Sequence, residues 1–194
     1  MTTLKSSPLL SLVRESEAEK LKGNHKKAIE IAEQVLVKSP DFVPALEEIA
    51  DNYLALEELR SAKKAAHFIL ELTKDSYTAY YILGFISARE KKFEEGSLYL
   101  ETANTLYPNH PEILRNLGWC YFMNGQEMKG VIILERALNL QPENTGTLCD
   151  LGICYLNQGN KEKALDLFYK ALSLNPHDER IQECVSLAES IGKK

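Results

Sequence analysis

The chain has 194 residues, of which 44% are hydrophobic and 26% charged, with a formal net charge of −5. That length supports one well-buried array, and that balance belongs to a folded chain rather than a disordered or membrane-embedded one. An acidic excess with no concentrated basic face argues against nucleic acid as a partner, because phosphate binding needs clustered Lys and Arg.

Residues 1–8 read as a flexible tail. The apolar run after them, Leu9, Leu10, Leu12 and Val13, is cut by Arg14 and Glu15. It is too short for a signal-peptide core or a membrane span, so the expected address is the cytoplasm, without membrane insertion. Counted back from Pro176 in steps of 34 residues, the chain meets Pro142, Pro108, Lys74 and Pro40. A fixed period of this size marks a stack of small units that bury their cores only against neighbours. The phase divides the chain into 9–42, 43–76, 77–110, 111–144 and 145–178.

The first of these keeps Leu12, Ala28, Ala32, Val35 and Pro40, but Glu15, Ser16 and Glu19 stand where later units carry Leu, Gly and Tyr. Two readings stand: a polar first helix that caps the stack by solvation, or a first helix swung away from it. The second keeps Leu46, Ile49, Ala50, Tyr53 and Ala62, with Ala66, Ile69 and Lys74 at the less typical places. The third has Tyr80, Leu83-Gly84, Ser87, Gly96, Leu100, Ala103 and Pro108. The fourth has Leu114, Leu117-Gly118, Tyr121, Gly130, Leu134, Ala137 and Pro142. In the fifth, Leu148, Leu151, Gly152 and Tyr155 form one helical stripe, Gln158-Gly159-Asn160 turns the chain, and Ala164, Phe168 and Ala171 form a second stripe stopped by Asn175-Pro176. Beyond it, Ile181, Cys184, Val185 and Ala188 predict a capping helix within residues 179–194.

This pattern of a large apolar residue, Leu-Gly, Tyr, a small residue, an aromatic or Leu, Ala and Pro at fixed offsets resembles the tetratricopeptide repeat, over nearly the whole chain. The resemblance implies an all-α, right-handed solenoid of five helix-turn-helix repeats. It also implies that first helices line a concave face, looking into it from their second, fifth, sixth, ninth, twelfth and thirteenth positions. Read at those positions, Tyr81, Phe85, Arg115, Asn116, Trp119, Phe122 and Ile153 form the expected peptide-binding groove, with an acidic patch of Glu47, Glu48 and Asp51 one repeat upstream. Aromatics on an open surface are binding anchors, although the same rings could instead pack between helices. The acidic patch would meet Lys or Arg flanking an apolar segment of the partner, or would simply be a solvated face. The Lys and Asn positions of the family's carboxylate clamp are filled here by residues such as Glu17, Glu48 and Asp51, so a chaperone-tail adaptor is not expected.

Nothing in the sequence reads as catalytic machinery: there is no Gly-x-Ser-x-Gly elbow, phosphate loop or His-Glu-x-x-His helix. The four cysteines and four histidines form no metal-ligand spacing, and Cys120 and Cys154, 34 apart, read as equivalent core positions. No cofactor is expected. The expected function is a non-enzymatic protein-binding module, adaptor or chaperone-like, taking a peptide segment of a protein partner. A self-associating scaffold or assembly factor, homo-oligomeric, stays open as the alternative.

Overall fold

The computed structural model describes residues 8–191, and the expected tail falls on residues outside these apart from Pro8, which already begins α1. Among the described residues all regular structure is α-helical: α1 (Pro8–Leu21), α2 (His25–Lys38), α3 (Val43–Ala55), α4 (Leu59–Leu72), α5 (Tyr77–Arg89), α6 (Phe93–Leu106), α7 (Pro111–Met123), α8 (Glu127–Leu140), α9 (Thr145–Asn157), α10 (Lys161–Leu174) and α11 (Glu179–Ser190). None is long and apolar enough to cross a membrane. The chain forms two compact units, Met1–Ile86 and Ser87–Lys194, with the division inside α5.

Helix boundaries follow from local chemistry. Pro44 and Pro111 sit in the first turns of α3 and α7, where the missing N–H is not needed. Asn144, Asn160 and Asp178 accept backbone N–H bonds at the starts of α9, α10 and α11. The turn inside each of the first five helix pairs holds one residue in the left-handed region, at 34-residue intervals: Gly23 (φ 80°), Glu57 (58°), Lys91 (61°), Gly125 (82°) and Gly159 (77°). Glycine adopts this backbone freely, whereas Glu57 and Lys91 carry a Cβ that crowds the following carbonyl.

In the first unit α1 packs on α2 and α3, and α3 packs on α4. Its core includes Ile29, Ala32, Val35, Ala45 and Ile49, with Leu9, Leu12 and Val13 of α1 laid against them. The first helix is therefore docked, and not by the solvation anticipated for a cap: Ser16 and Glu19 are buried. Ser16 Oγ donates to the Ala28 carbonyl at 2.7 Å. The Glu19 carboxylate takes Lys22 and Asn24 at 2.8 Å and Lys27 at 3.3 Å, which hold its pKa down from 4.5 to about 2. A polar side chain can be buried at little cost when its partners are supplied in place.

The second unit closes its helix pairs by close approach. A Cβ on Gly118 would lie 2.8 Å from Leu134 Cγ and 2.9 Å from the Gly130 carbonyl oxygen, and one on Gly152 would lie 2.4 Å from the Phe168 ring. Around these contacts lie fully buried Leu134, Leu148 and Phe168, each contributing ~1.5–3 kcal/mol by burial. A polar rung repeats at the edge of the core. Tyr121 donates to Glu101 with Lys129 Nζ 3.6 Å above its ring, and 34 residues on Tyr155 donates to Glu135 with Lys163 Nζ 4.8 Å above its ring. In the first rung Lys129 Nζ also lies 3.7 Å from the Glu101 oxygen that accepts from the phenol, so cation, carboxylate and ring hold one another.

Candidate functional site

The acidic patch of the first unit is not an open charge. Lys20, on α1, brings its ammonium to 3.0 Å from Glu48 and 2.9 Å from Asp51, while Ser76 donates to Glu47. Burial raises the pKa of Glu47 and Glu48, and Glu48 Oε2 is buried without a hydrogen-bond partner. The expectation of a patch waiting for a basic flank is corrected: the carboxylates tie α3 to α1, because position twelve of one first helix faces positions six and nine of the next. In the same unit Tyr81 and Phe85 are half-buried neighbours, their ring centroids 6.2 Å apart and tilted by 41°.

In the second unit, Trp119, Ile153 and Leu187 occupy the same turn of α7, α9 and α11, 34 residues apart, and these helices pack in sequence. Trp119 and Ile153 are half-buried, and Leu187 is 60% exposed. Phe122 stacks near Trp119, centroids 6.4 Å apart, but at 7% exposure it belongs to the core with Val131, Leu134, Leu151 and Cys154. Its expected place on the open surface is therefore corrected. The cause is Gly130: a Cβ there would sit 2.7–2.8 Å from the Phe122 backbone nitrogen and Cβ, so α8 comes close enough to cover the ring.

Beside the apolar column lies a polar network. Arg115 Nε donates to Asp150 at 2.7 Å and its Nη1 lies 3.6 Å from Glu112; Asn144 donates to Glu112 at 2.9 Å. Gly146 makes room for this, since a Cβ there would lie 2.5 Å from Arg115 Cζ. Burial pushes the Asp150 carboxyl above its usual range, and Arg115 opposes the shift. Asn116 spends an amide N–H on the Glu112 carbonyl of its own helix. An open cavity of ≈ 580 Å³ runs along this network, and a second of ≈ 240 Å³ lies under Ile153, Leu156, Leu187 and Ile191. Ile153 and Cys184 line both, so the two read as one trough, polar at one end and apolar at the other.

Leu156 stands at a groove position of the fifth repeat, whereas Leu187 and Ile191 lie past the last repeat, where the sequence reading places no site residue. Leu187 could have been found by extending the 34-residue column one step beyond Ile153 into α11. Among the described residues no cluster of three or more His, Cys, Asp or Glu is arranged to hold a metal ion.

Models of the tetratricopeptide repeat match residues 77–110, 99–131 and 147–178. No curated protein matches the sequence. Among solved structures, the chain is similar to TTC0263, a thermophilic TPR protein of Thermus thermophilus, at 21% identity, with 93% of this chain and 98% of that one covered and a TM-score of 0.71. It is similar also to PilF of Pseudomonas aeruginosa (14% identity, 93% and 88% covered, TM-score 0.72). A third is YrrB, described as a TPR protein with an unusual peptide-binding site (18% identity, 90% of each chain covered, TM-score 0.64). At such identities the likeness is one of fold, an all-α solenoid of helical hairpins.

Proposed function

The chain belongs to the tetratricopeptide-repeat family, and from that premise we propose that it is a non-enzymatic protein-interaction module that receives a peptide segment of a partner in the trough of its second unit. The observation that carries this reading is the apolar column Trp119, Ile153 and Leu187 beside the Arg115–Asp150 pair. A partner's apolar side chains would bury against the column, and each large side chain adds ~1.5–3 kcal/mol when fully covered. The polar network would set the direction of the peptide through hydrogen bonds rather than net charge. A basic flank on the partner is no longer required, since Lys20 already answers Glu48 and Asp51.

The division into repeats 9–42, 43–76, 77–110, 111–144 and 145–178, closed by α11, and a cytoplasmic location belong to the same proposal. Selection of binders from a displayed peptide library, followed by Trp119 fluorescence on titration, tests it. Binders enriched in large apolar residues should shift the emission of Trp119, the only tryptophan. Binders that leave the emission unchanged would move the site elsewhere.

Self-association is the second reading, favoured by Leu98, Met128 and Ile132, which lie on α6 and α8 at 60%, 76% and 59% exposure. Such residues are costly in water when grouped on one surface. Sedimentation over a range of concentrations separates the readings: a constant monomer mass favours the peptide receptor, and a rising mass favours the scaffold.

A further inference from the structure

Two of the four cysteines are buried core residues, Cys120 and Cys154, while Cys149 on α9 and Cys184 on α11 are half-buried. These two are 35 residues apart, the same offset as Arg115 and Asp150, which meet across α7 and α9 at 2.7 Å. In a chain that repeats every 34 residues, position five of one first helix faces position six of the next. Cys149 and Cys184 fill that slot between α9 and α11, which pack on each other. Both line the ≈ 580 Å³ cavity, so a small reagent can reach them from the same side.

We propose that Cys149 and Cys184 are a cross-helix thiol pair that closes to a disulfide when the protein meets a small-molecule disulfide. In the first step one cysteine thiolate attacks a sulfur of the reagent, forming a mixed disulfide and expelling one reagent thiolate. The second cysteine, deprotonated, attacks the protein sulfur of that mixed disulfide and expels the other reagent thiolate. The two cysteines are oxidised by two electrons, the reagent is reduced to two thiols, and the two cysteine protons end on them. Closure needs Cα atoms within about 7 Å, a demand that directly packed helices can meet.

The environment keeps the pair reduced and quiet until then. Burial, with a smaller contribution from Cys184, pushes Cys149 up to about 12, and burial also raises Cys184. Asp150, Asp178 and Glu183 face the pair with negative charge and Arg115 with positive. Thiolate is therefore scarce at neutral pH, and exchange should accelerate in alkaline solution. Because Cys184 also lines the apolar cavity, closure would fix the floor of the trough.

The test treats the whole native chain with oxidised glutathione in mildly alkaline buffer, alkylates the remaining thiols and maps the peptides by mass spectrometry. The expected result is a Cys149–Cys184 cross-linked peptide with no glutathione retained, and two alkylated cysteines, Cys120 and Cys154. Cys149→Ser and Cys184→Ser should each instead hold one glutathione on the remaining partner. Separate glutathione adducts on Cys149 and Cys184 of the wild-type chain, or two thiols left unreacted, would overturn the pairing.

Discussion

The first and fourth helix pairs, three periods apart, close the same frame by opposite means. Where α7 has Gly118 and Tyr121 against Gly130 of α8, α1 has Ser16 and Glu19 against Ala28 of α2. In the fourth pair the backbones come so near that neither glycine can carry a Cβ without displacing its neighbour. In the first, a hydroxyl bonds the facing carbonyl and three donors surround a buried carboxylate. Shape does in one pair what satisfied polar groups do in the other, and the second solution is pH-sensitive while the first is not.

The comparison breaks most sharply at Gly118. Gly118→Ala should cost about 1–3 kcal/mol in denaturant unfolding, since its methyl meets Leu134 and the Gly130 carbonyl. At the equivalent place Ser16→Ala should cost only ~0.5–1.5 kcal/mol, the worth of a buried hydrogen bond with no steric change. A cost at Ser16 that equals the Gly118 effect would mean that α1 also depends on close fit. Relief of backbone strain should act in the opposite direction: Glu57→Gly or Lys91→Gly should raise stability by up to about 1 kcal/mol, because the left-handed turn costs an L-residue about that much.

Glu19→Gln gives the smallest and most selective effect. A carboxylate whose folded pKa lies below its ordinary 4.5 stabilises the fold above that value and loses the contribution as pH falls toward about 2. Wild type should therefore melt higher than Glu19→Gln at neutral pH, and the gap should narrow through the acid limb. Glu47 and Glu48, raised by burial, move the other way: protonation relieves them, so they should contribute a gain as the solution is acidified. A gap that stays constant with pH would show that the Glu19 network does not depend on its charge.

The helical frame was legible because backbone geometry repeats with the period: prolines, packing glycines and the apolar stripes mark most of the helix ends and buried faces. The site was legible only in part, because a repeat position fixes the face of a helix and not what the neighbouring helix does to it. Phe122 has a groove position, yet Gly130 lets α8 advance and cover it. Glu48 and Asp51 have groove positions, yet their fate depends on Lys20, 28 and 31 residues away on the preceding first helix. Glu57 and Lys91 show the same limit at the turns, where nothing in the residue type announces a left-handed backbone. Arg115 and Ile153 do line the trough, but Arg115 is built into it through Asp150 and Glu112.

The most direct measurement is calorimetric titration of a library-selected peptide into wild type and Leu187→Asp. Leu187 is 60% exposed, so the substitution should leave the unfolding midpoint unchanged. If the trough of α7, α9 and α11 holds the peptide, affinity should fall by about tenfold or more, a loss of about 1.4 kcal/mol. Equal affinity for both proteins would contradict a peptide site in the second unit.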